Sequence, residues 1–309
     1  MVEFYSPGKL LITAEYFVLS GAKAFALPTQ LGQSMRVTPI EEGVIRWKSH
    51  TDTEDVWMDL MLSLDNFECI SSRNTALPLI QKLQDILKCV RTMEPKFCST
   101  GFEVSTALDF DRNWGLGSSS TFIHNIAQWA SVNPYELLDL TFGGSGYDVA
   151  VAHAKSALFF TRNQYAPLVE PIQFDPPFKD QLCFVYLNQK QDSQKEVAAF
   201  YKGRNPSPKE IDQISKISVA ITKTKTLDAF NELLVAHEKL VGFLLEQTPI
   251  KELLFSDFEG EIKSLGAWGG DFILATGNSS MHYFKEKGYA TILPYADIIS
   301  IQLRTKKPL

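Results

Sequence analysis

The 309-residue chain lacks several common signals of compartment and cofactor. It has four cysteines and no Cys-x-x-Cys pair, so we expect reduced, buried thiols. No apolar stretch approaches the roughly 20 residues that a membrane-spanning helix needs. The first residues lack the basic region and apolar core of a secretory signal. These absences predict a cytoplasmic protein without a membrane segment.

An excess of positive charge is also missing. The formal net charge is −6 and the sequence pI is about 5.5. Proteins that hold nucleic acid regardless of sequence need a basic surface, so we expect no nucleic-acid partner and a small-molecule substrate instead. The length allows two cores, and a proline-rich stretch after residue 166 suggests a boundary. We predict domains at residues 1–175 and 176–309.

Two familiar phosphate-binding motifs are absent. No Gly-Lys-Ser/Thr follows a glycine-rich loop, which excludes a Walker A motif, and no loop has the third glycine of a Rossmann fingerprint. The chain does contain a glycine-serine turn, Gly115-Leu116-Gly117-Ser118-Ser119-Ser120. Any phosphate site here must therefore belong to another nucleotide-binding family.

This turn lies between two patterned segments. Apolar and polar residues alternate from Phe102 to Phe110, which predicts a strand, and apolar residues recur at helical spacing from Phe122 to Ala130. Glycines let the backbone bend through positive φ, and the helix start offers unpaired N–H groups and a positive dipole end to an anion. Taken alone, the motif fits an ordinary serine-capped helix start equally well.

The remaining pattern predicts interleaved helices and strands. Segments 44–48 and 56–64 are typical of a hairpin, and the region from Leu182 to Leu187 is typical of a buried strand. His237 lies on the apolar face of a helix and is predicted to be a hydrogen-bonded core histidine rather than a ligand. A final strand is predicted from Ile298 to Leu303.

Three further glycine-containing blocks accompany the turn. They are Pro7-Gly8-Lys9 followed by Ala14-Glu15, then Ser145-Gly146-Tyr147-Asp148, and then Gly266-Ala267-Trp268-Gly269-Gly270. With the turn as second block, this order resembles the GHMP kinase superfamily, named for galactokinase, homoserine kinase, mevalonate kinase and phosphomevalonate kinase. The blocks span residues 6 to 276, nearly the whole chain.

The resemblance implies an α+β fold of two domains. The N-terminal domain would resemble domain 2 of ribosomal protein S5, and the C-terminal domain would be ferredoxin-like. It also implies ATP and Mg²⁺ as cofactors. The nucleotide would be held by residues of the turn and of the last block, namely Gly115, Leu116, Gly117, Ser118, Ser119, Ser120, Gly266, Gly269 and Gly270.

The resemblance also assigns roles in the chemistry. Asp148 matches the catalytic aspartate, which accepts the proton of the substrate hydroxyl or holds that hydroxyl in line. Lys9 would lie beside it and stabilise negative charge on the transferred group. Ser119 matches a magnesium ligand, and Glu136 is the nearest candidate for a second one. Glu15 is expected to fix local geometry near Lys9 and is included among the candidate substrate-binding residues.

The acceptor is less narrowly defined. The Gly-Ser-Gly-Tyr-Asp-Val-Ala segment and the Gly-Gly-Asp ending of the last block are similar to those of phosphomevalonate kinases, and mevalonate kinases share the same skeleton. We therefore favour phosphomevalonate over mevalonate, in isoprenoid precursor synthesis. Lys190, Ser193 and Lys195 are further candidates for binding the acceptor's carboxylate or phosphate. The sequence leaves open whether the protein forms a homodimer.

Two positions depart from the superfamily pattern. Ala14 replaces a glycine in the first block, and Trp268 replaces a glycine in the last. An indole at Trp268 could stack on the base or acceptor, or block the site, and we expect an altered but open pocket. Two other functions stay open: a lyase similar to diphosphomevalonate decarboxylase, and a nucleotide-binding homologue without turnover.

Overall fold

The computed structural model describes residues 1–163, 166–188, 200, 204–266, 268 and 270–299. Within them the strands are β1 (Val2–Leu11), β2 (Ala24–Ile40), β3 (Val44–His50), β4 (Val56–Ser63), β5 (Cys69–Arg73), β6 (Gly101–Leu108), β7 (Leu158–Thr161), β8 (Leu168–Pro171), β9 (Leu182–Tyr186), β10 (Ile262–Leu265), β11 (Phe272–Thr276) and β12 (Ile292–Pro294). The helices are α1 (Leu77–Met93), α2 (Ser118–Ala130), α3 (Pro134–Thr141), α4 (Tyr147–His153), α5 (Pro208–Ile221), α6 (Leu227–Leu245), α7 (Ile250–Leu254), α8 (Ser280–Glu286) and α9 (Tyr295–Ile298).

The strands form two sheets. The larger is mixed and has the order β5-β4-β3-β6-β2-β7-β8, with β1 beside β2. Its β3–β6 pair is parallel, whereas β3–β4 is the antiparallel hairpin predicted from the sequence. The smaller sheet, β10-β11-β9-β12, is antiparallel. The architecture is therefore α+β, as predicted.

The chain divides into two compact units that interleave along the sequence. The first unit comprises Met1–Gly8, Leu31–Arg112 and Gly117–His153, and the second comprises Lys9–Gln30, Asn113–Leu116 and Ala154–Leu309. The predicted domains, residues 1–175 and 176–309, assume a single boundary along the chain, and they remain a prediction.

The core of the first unit lies between its strands and the helices α1, α2 and α3. The alternation along β6 buries Val104 and Leu108, and the helical stripe of α1 buries Leu83, Ile86 and Leu87. Burial of each such side chain contributes about 1.5–3 kcal/mol. The predicted strand and helix around the glycine-serine turn are thus confirmed, because β6 and α2 occupy those places.

The second unit has its own core under the smaller sheet. Val185 and Ile273, on neighbouring strands, pack with Phe255 and Phe284 from the segments around them. Among the described residues, no helix is long and apolar enough to cross a membrane.

Two predictions are wrong in part. Ile298 ends the short helix α9 instead of starting a strand, and only Ile299 forms a bridge, to Thr29; residues 300–303 lie outside the described residues. All four cysteines are free, but Cys69 and Cys89 are only partly buried, because they lie where an edge strand and a helix face meet solvent.

Candidate active site

Three of the four sequence blocks meet in one cleft of the second unit. The cleft is lined by Lys9 from β1, by Gly115 from the glycine-serine turn and Trp114 just before it, and by Gly266 and Asp271 from the segment between β10 and β11. The backbone N–H of Lys9 donates a hydrogen bond of 2.9 Å to Leu116 O, which ties β1 to the turn. The first, second and last blocks, more than a hundred residues apart in sequence, therefore form one surface.

The turn needs glycine at two positions. Gly115 has φ +67° and Gly117 has φ +91°, a backbone region that side chains disfavour. Gly115 also lacks room, because a Cβ there would lie 2.7 Å from Cγ of Asp271 and would clash with its carboxylate oxygen. Asp271 is only 7% exposed and itself has φ +52°. The shape of the turn is therefore constrained by the left-handed backbone of its glycines and by the buried Asp271 beside Gly115.

The turn leads directly into α2, in the first unit. Gly117 is the N-cap residue, and no side chain caps the helix. Ser118 is half-buried and Ser119 is exposed, whereas Ser120 is buried and its hydroxyl donates to Gly117 O at 2.8 Å. A helix start without a side-chain cap can offer its first N–H groups to an anion.

Asp148 lies in the first turn of α4, in the first unit. Three glycines with positive φ, Gly143, Gly144 and Gly146, shape the loop before it. The carboxylate of Asp148 is half-buried and accepts a 3.0 Å hydrogen bond from the N–H of Val149. Burial, together with the charge of Asp148, raises the pKa of Tyr135. Asp148 is therefore a partly accessible carboxylate at the end of a glycine loop.

Glu15 is buried instead of facing a cleft. It is 1% exposed, and its Oε1 forms an ion pair with Lys263 Nζ at 2.5 Å in the second unit. Burial raises the pKa of Glu15, and the charges of Lys263 and Lys9 oppose that shift. This geometry agrees with the expected role in fixing structure near Lys9, while binding of substrate by Glu15 stays a prediction.

His237 is a hydrogen-bonded core histidine, as predicted. It is fully buried, and its Nε2 accepts a 2.8 Å hydrogen bond from the N–H of Ala14. The sequence did not point to its neighbours Glu238 and Lys263, which are also buried. The strand β10 reads Ile-Lys-Ser-Leu, and only the structure shows that all four of its residues are buried. Buried lysines are rare unless paired, so Lys263 needs a partner there.

Trp268 does not project freely into solvent. Its side chain is 5% exposed, its backbone N–H donates to the hydroxyl of Tyr16 at 3.1 Å, and its ring packs on α6 at Gly242. A Cβ at Gly242 would lie 3.2 Å from the indole ring, so glycine makes room for the tryptophan. The indole therefore occupies the interior of the second unit.

The candidate metal ligands do not form a dense cluster. In the described part of the chain, no group of three or more His, Cys, Asp or Glu side chains could hold a metal ion. Glu136 is exposed in the first turn of α3. The exposed hydroxyl of Ser119 fits Mg²⁺ in a nucleotide complex, because that ion takes most of its ligands from phosphates and water. Gly269, Lys190, Ser193 and Lys195 lie outside the described residues.

Comparison with known proteins gives a clear result for structure and none for sequence. No family model matches the chain, and no curated protein matches its sequence. The solved structures include mevalonate kinase from Methanococcus jannaschii, with a TM-score of 0.71 and 18% identity, covering 94% of this chain and 96% of that one. The chain has the GHMP kinase fold.

Two other GHMP kinase structures agree. Streptococcus pneumoniae phosphomevalonate kinase, in complex with phosphomevalonate and AMPPNP, has a TM-score of 0.68 at 13% identity, covering 94% of this chain and 99% of that one. Lactococcus lactis galactokinase with galactose has a TM-score of 0.64 at 13% identity, covering 97% and 93%. The expected GHMP fold is therefore confirmed, and these three neighbours are kinases with different acceptors.

Proposed function

We propose that this protein is an ATP- and Mg²⁺-dependent kinase that phosphorylates a mevalonate-type acceptor, with phosphomevalonate favoured over mevalonate. The observation that carries the proposal is the cleft that joins Lys9, Gly115 and Gly266. The cleft gives the glycine-serine turn a neighbouring cation, Lys9, and a second glycine, Gly266, from the last block. We further propose that it acts in the cytoplasm, in isoprenoid precursor synthesis.

The glycine-serine turn would hold the triphosphate. Its left-handed glycines let the backbone approach phosphate oxygens, and the N–H groups at the start of α2 would donate to them. Ser119 would hold Mg²⁺ through its exposed hydroxyl, with Glu136 as the candidate for a second ligand. The ion, when bound, neutralises phosphate charge. Gly266 would lie against the phosphates from the other side of the cleft. Gly269 and Gly270 are proposed as further nucleotide-binding residues.

Asp148 and Lys9 would carry the transfer. An acceptor oxygen forms a bond to the γ-phosphorus, the bond from that phosphorus to the β–γ bridging oxygen breaks, and ADP leaves. If the acceptor is a hydroxyl, Asp148 takes its proton; if it is a phosphate that is already ionised, Asp148 orients it. Lys9 would stabilise negative charge on the transferred group.

A panel assay tests this proposal. The purified protein with ATP and Mg²⁺ is incubated with mevalonate, phosphomevalonate, homoserine and galactose, and both ADP and the phosphorylated product are measured. We expect product from phosphomevalonate first and from mevalonate second. Product from homoserine or galactose alone would support the proposed kinase activity and contradict the proposed mevalonate-type acceptor.

The same assay separates the other open functions. Diphosphomevalonate is added to the panel, and release of carbon dioxide from it would identify a lyase. ATP binding without transfer to any acceptor would identify a nucleotide-binding homologue without turnover. Either result would overturn the proposed kinase.

A further inference from the structure

The segment that follows the Lys9 strand adopts a strained backbone. Ala14 has φ +67° and Tyr16 has φ +63°, although neither is glycine. A side chain in this region costs roughly 1–3 kcal/mol per residue and persists only where surrounding contacts impose it. The residues between Thr13 and Tyr16 therefore need partners that hold them in place.

Hydrogen bonds from the second unit hold this turn. The N–H of Ala14 donates to His237 Nε2 at 2.8 Å, and the hydroxyl of Thr13 donates to Ser218 Oγ at 2.7 Å. The hydroxyl of Tyr16 accepts from the N–H of Trp268 at 3.1 Å. The turn is thus connected on one side to the helices α5 and α6 and on the other to the last glycine block.

A buried charged group lies at the centre of the turn. Lys263 Nζ is fully buried and contacts Glu15 Oε1 at 2.5 Å, Ser264 O at 2.6 Å and Glu238 Oε1 at 3.8 Å. Glu238 Oε2 in turn accepts from the N–H of Ser264 at 3.2 Å. Burial lowers the pKa of His237 well below its usual value, so its ring is neutral. Since Nε2 accepts a hydrogen bond, the ring proton lies on Nδ1.

Lys263 and Glu15 each lie close in sequence to a residue of the proposed nucleotide site. Lys263 lies in β10, three residues before Gly266, and Glu15 lies six residues after Lys9. The positive charge of Lys9 acts on Glu15, so the two are electrostatically coupled. The ion pair thus joins the strand that carries Lys9 to the strand that leads into the last glycine block.

We propose that Lys263 is a positioning residue, which fixes Lys9 and Gly266 in one arrangement through its buried ion pair with Glu15. The inference rests on the proposed function, since it assumes that Lys9 acts on the transferred phosphate. Lys263 is fully buried, so it would touch neither nucleotide nor acceptor. Its effect passes through the strained Ala14 to Tyr16 turn.

The test removes the Glu15–Lys263 ion pair and leaves Glu238 as the remaining carboxyl group of the cluster, which can take up a proton near neutral pH because burial raises its pKa to about 7. Lys263→Met by itself would leave the buried carboxylates of Glu15 and Glu238 without their positive partner, and this variant is expected to fold poorly. The double variant Glu15→Gln with Lys263→Met replaces both charges by neutral side chains of similar size. The matched control is Lys23→Met with Glu170→Gln, which removes a partly exposed ion pair of the same unit.

Hydrogen exchange gives a readout that needs no activity. In the Glu15/Lys263 double variant, the Ala14 amide should exchange at least ~10-fold faster than in the wild type, while the midpoint of thermal unfolding stays within a few degrees. The Lys23/Glu170 control should leave the Ala14 amide unchanged. Unchanged Ala14 exchange in the Glu15/Lys263 variant would overturn the proposal, even if the protein proved not to be a kinase.

Kinetics then test whether Lys263 acts through Lys9. The Glu15/Lys263 changes should lower kcat by ~10–100-fold in the wild-type background and by less than ~3-fold in a Lys9→Met background, because effects through a shared group are not additive. Equal losses in the two backgrounds would reduce Lys263 to a stabilising residue and overturn the positioning role. A Lys9→Met variant with full activity would instead contradict the proposed function.

Discussion

Gly115 allows a clean test of the glycine-serine turn at the scale of one residue. Gly115→Ala must place a side chain at φ +67° and against the Asp271 carboxylate, whereas Gly143→Ala meets nearly the same φ, +68°, with no atom within 4 Å. The left-handed backbone alone costs roughly 1–2 kcal/mol. We expect both variants to lose that much unfolding free energy in urea titrations, and Gly115→Ala to lose at least ~1 kcal/mol more. Equal losses would contradict the close contact with Asp271.

Asp148 is the residue whose proposed role depends most on charge. Asp148→Asn keeps the shape and the Val149 N–H contact but removes the carboxylate. We expect kcat to fall at least ~100-fold with a hydroxyl acceptor, since general bases contribute about 10²–10⁴-fold. The affinity for ATP, measured by calorimetry, should change less than ~3-fold. Normal turnover of a hydroxyl acceptor by this variant would contradict the mechanism.

At the scale of elements, a buried histidine connects three parts of the first unit. His124 of α2 lies 2.7 Å from Ser6 Oγ of β1, through Nδ1, and 3.2 Å from His153 Nδ1 of α4, through Nε2. Burial, and secondarily the charge of His153, lower the pKa of His124 from 6.5 to about 4. The helices α2 and α4 therefore meet at a neutral imidazole.

This histidine predicts a loss of stability in mild acid. The folded state resists protonation of His124, so its contribution is present above pH 6.5 and is lost as the pH falls towards 4. His124→Asn should flatten that part of the stability curve, measured as urea midpoints between pH 4 and 7. The exposed His282 of α8 is the matched control, and His282→Asn should leave the slope in place.

Glu238 on α6 predicts the opposite pH dependence, in which the unfolding free energy falls as the pH rises. Burial raises its pKa from 4.5 to about 7, so its contribution to stability is complete below pH 4.5 and is lost as the pH rises through 7. Glu238→Gln should remove this loss, which is at most ~1.4 kcal/mol per pH unit. Urea midpoints between pH 5 and 8.5 measure it. Glu232→Gln, at an exposed position of the same helix, should keep the wild-type slope.

For the whole molecule, the proposed nucleotide site predicts stabilisation by ligand. A non-hydrolysable ATP analogue with Mg²⁺ at about 100 times its Kd should raise the unfolding free energy by about 2.7 kcal/mol. Chelation of Mg²⁺ should reduce the effect, because the phosphate charge is then less compensated. Thermal unfolding measures both, with Gly115→Ala as the variant expected to lose the response. Equal midpoints with and without analogue would contradict a nucleotide site in this protein.

Local pattern was enough to predict the elements around the site. Alternating apolar residues identified β6, helical spacing identified α2, and two glycines identified a left-handed turn between them, because these features depend on neighbours in sequence. The order of the four blocks supplied the superfamily resemblance, and the structure confirms the GHMP fold. The acceptor was not predictable to the same degree, since the blocks describe the nucleotide and catalytic parts of such kinases.

Only the tertiary structure decided which distant residues meet. The sequence determined that the chain has a glycine-serine turn, a lysine before it and glycine loops after it. It could not show that Lys263 pairs with Glu15 across 248 residues, or that Trp268 packs on Gly242. Periodicity reports whether a side chain is buried, whereas the partner it meets is set by the packing of whole strands and helices.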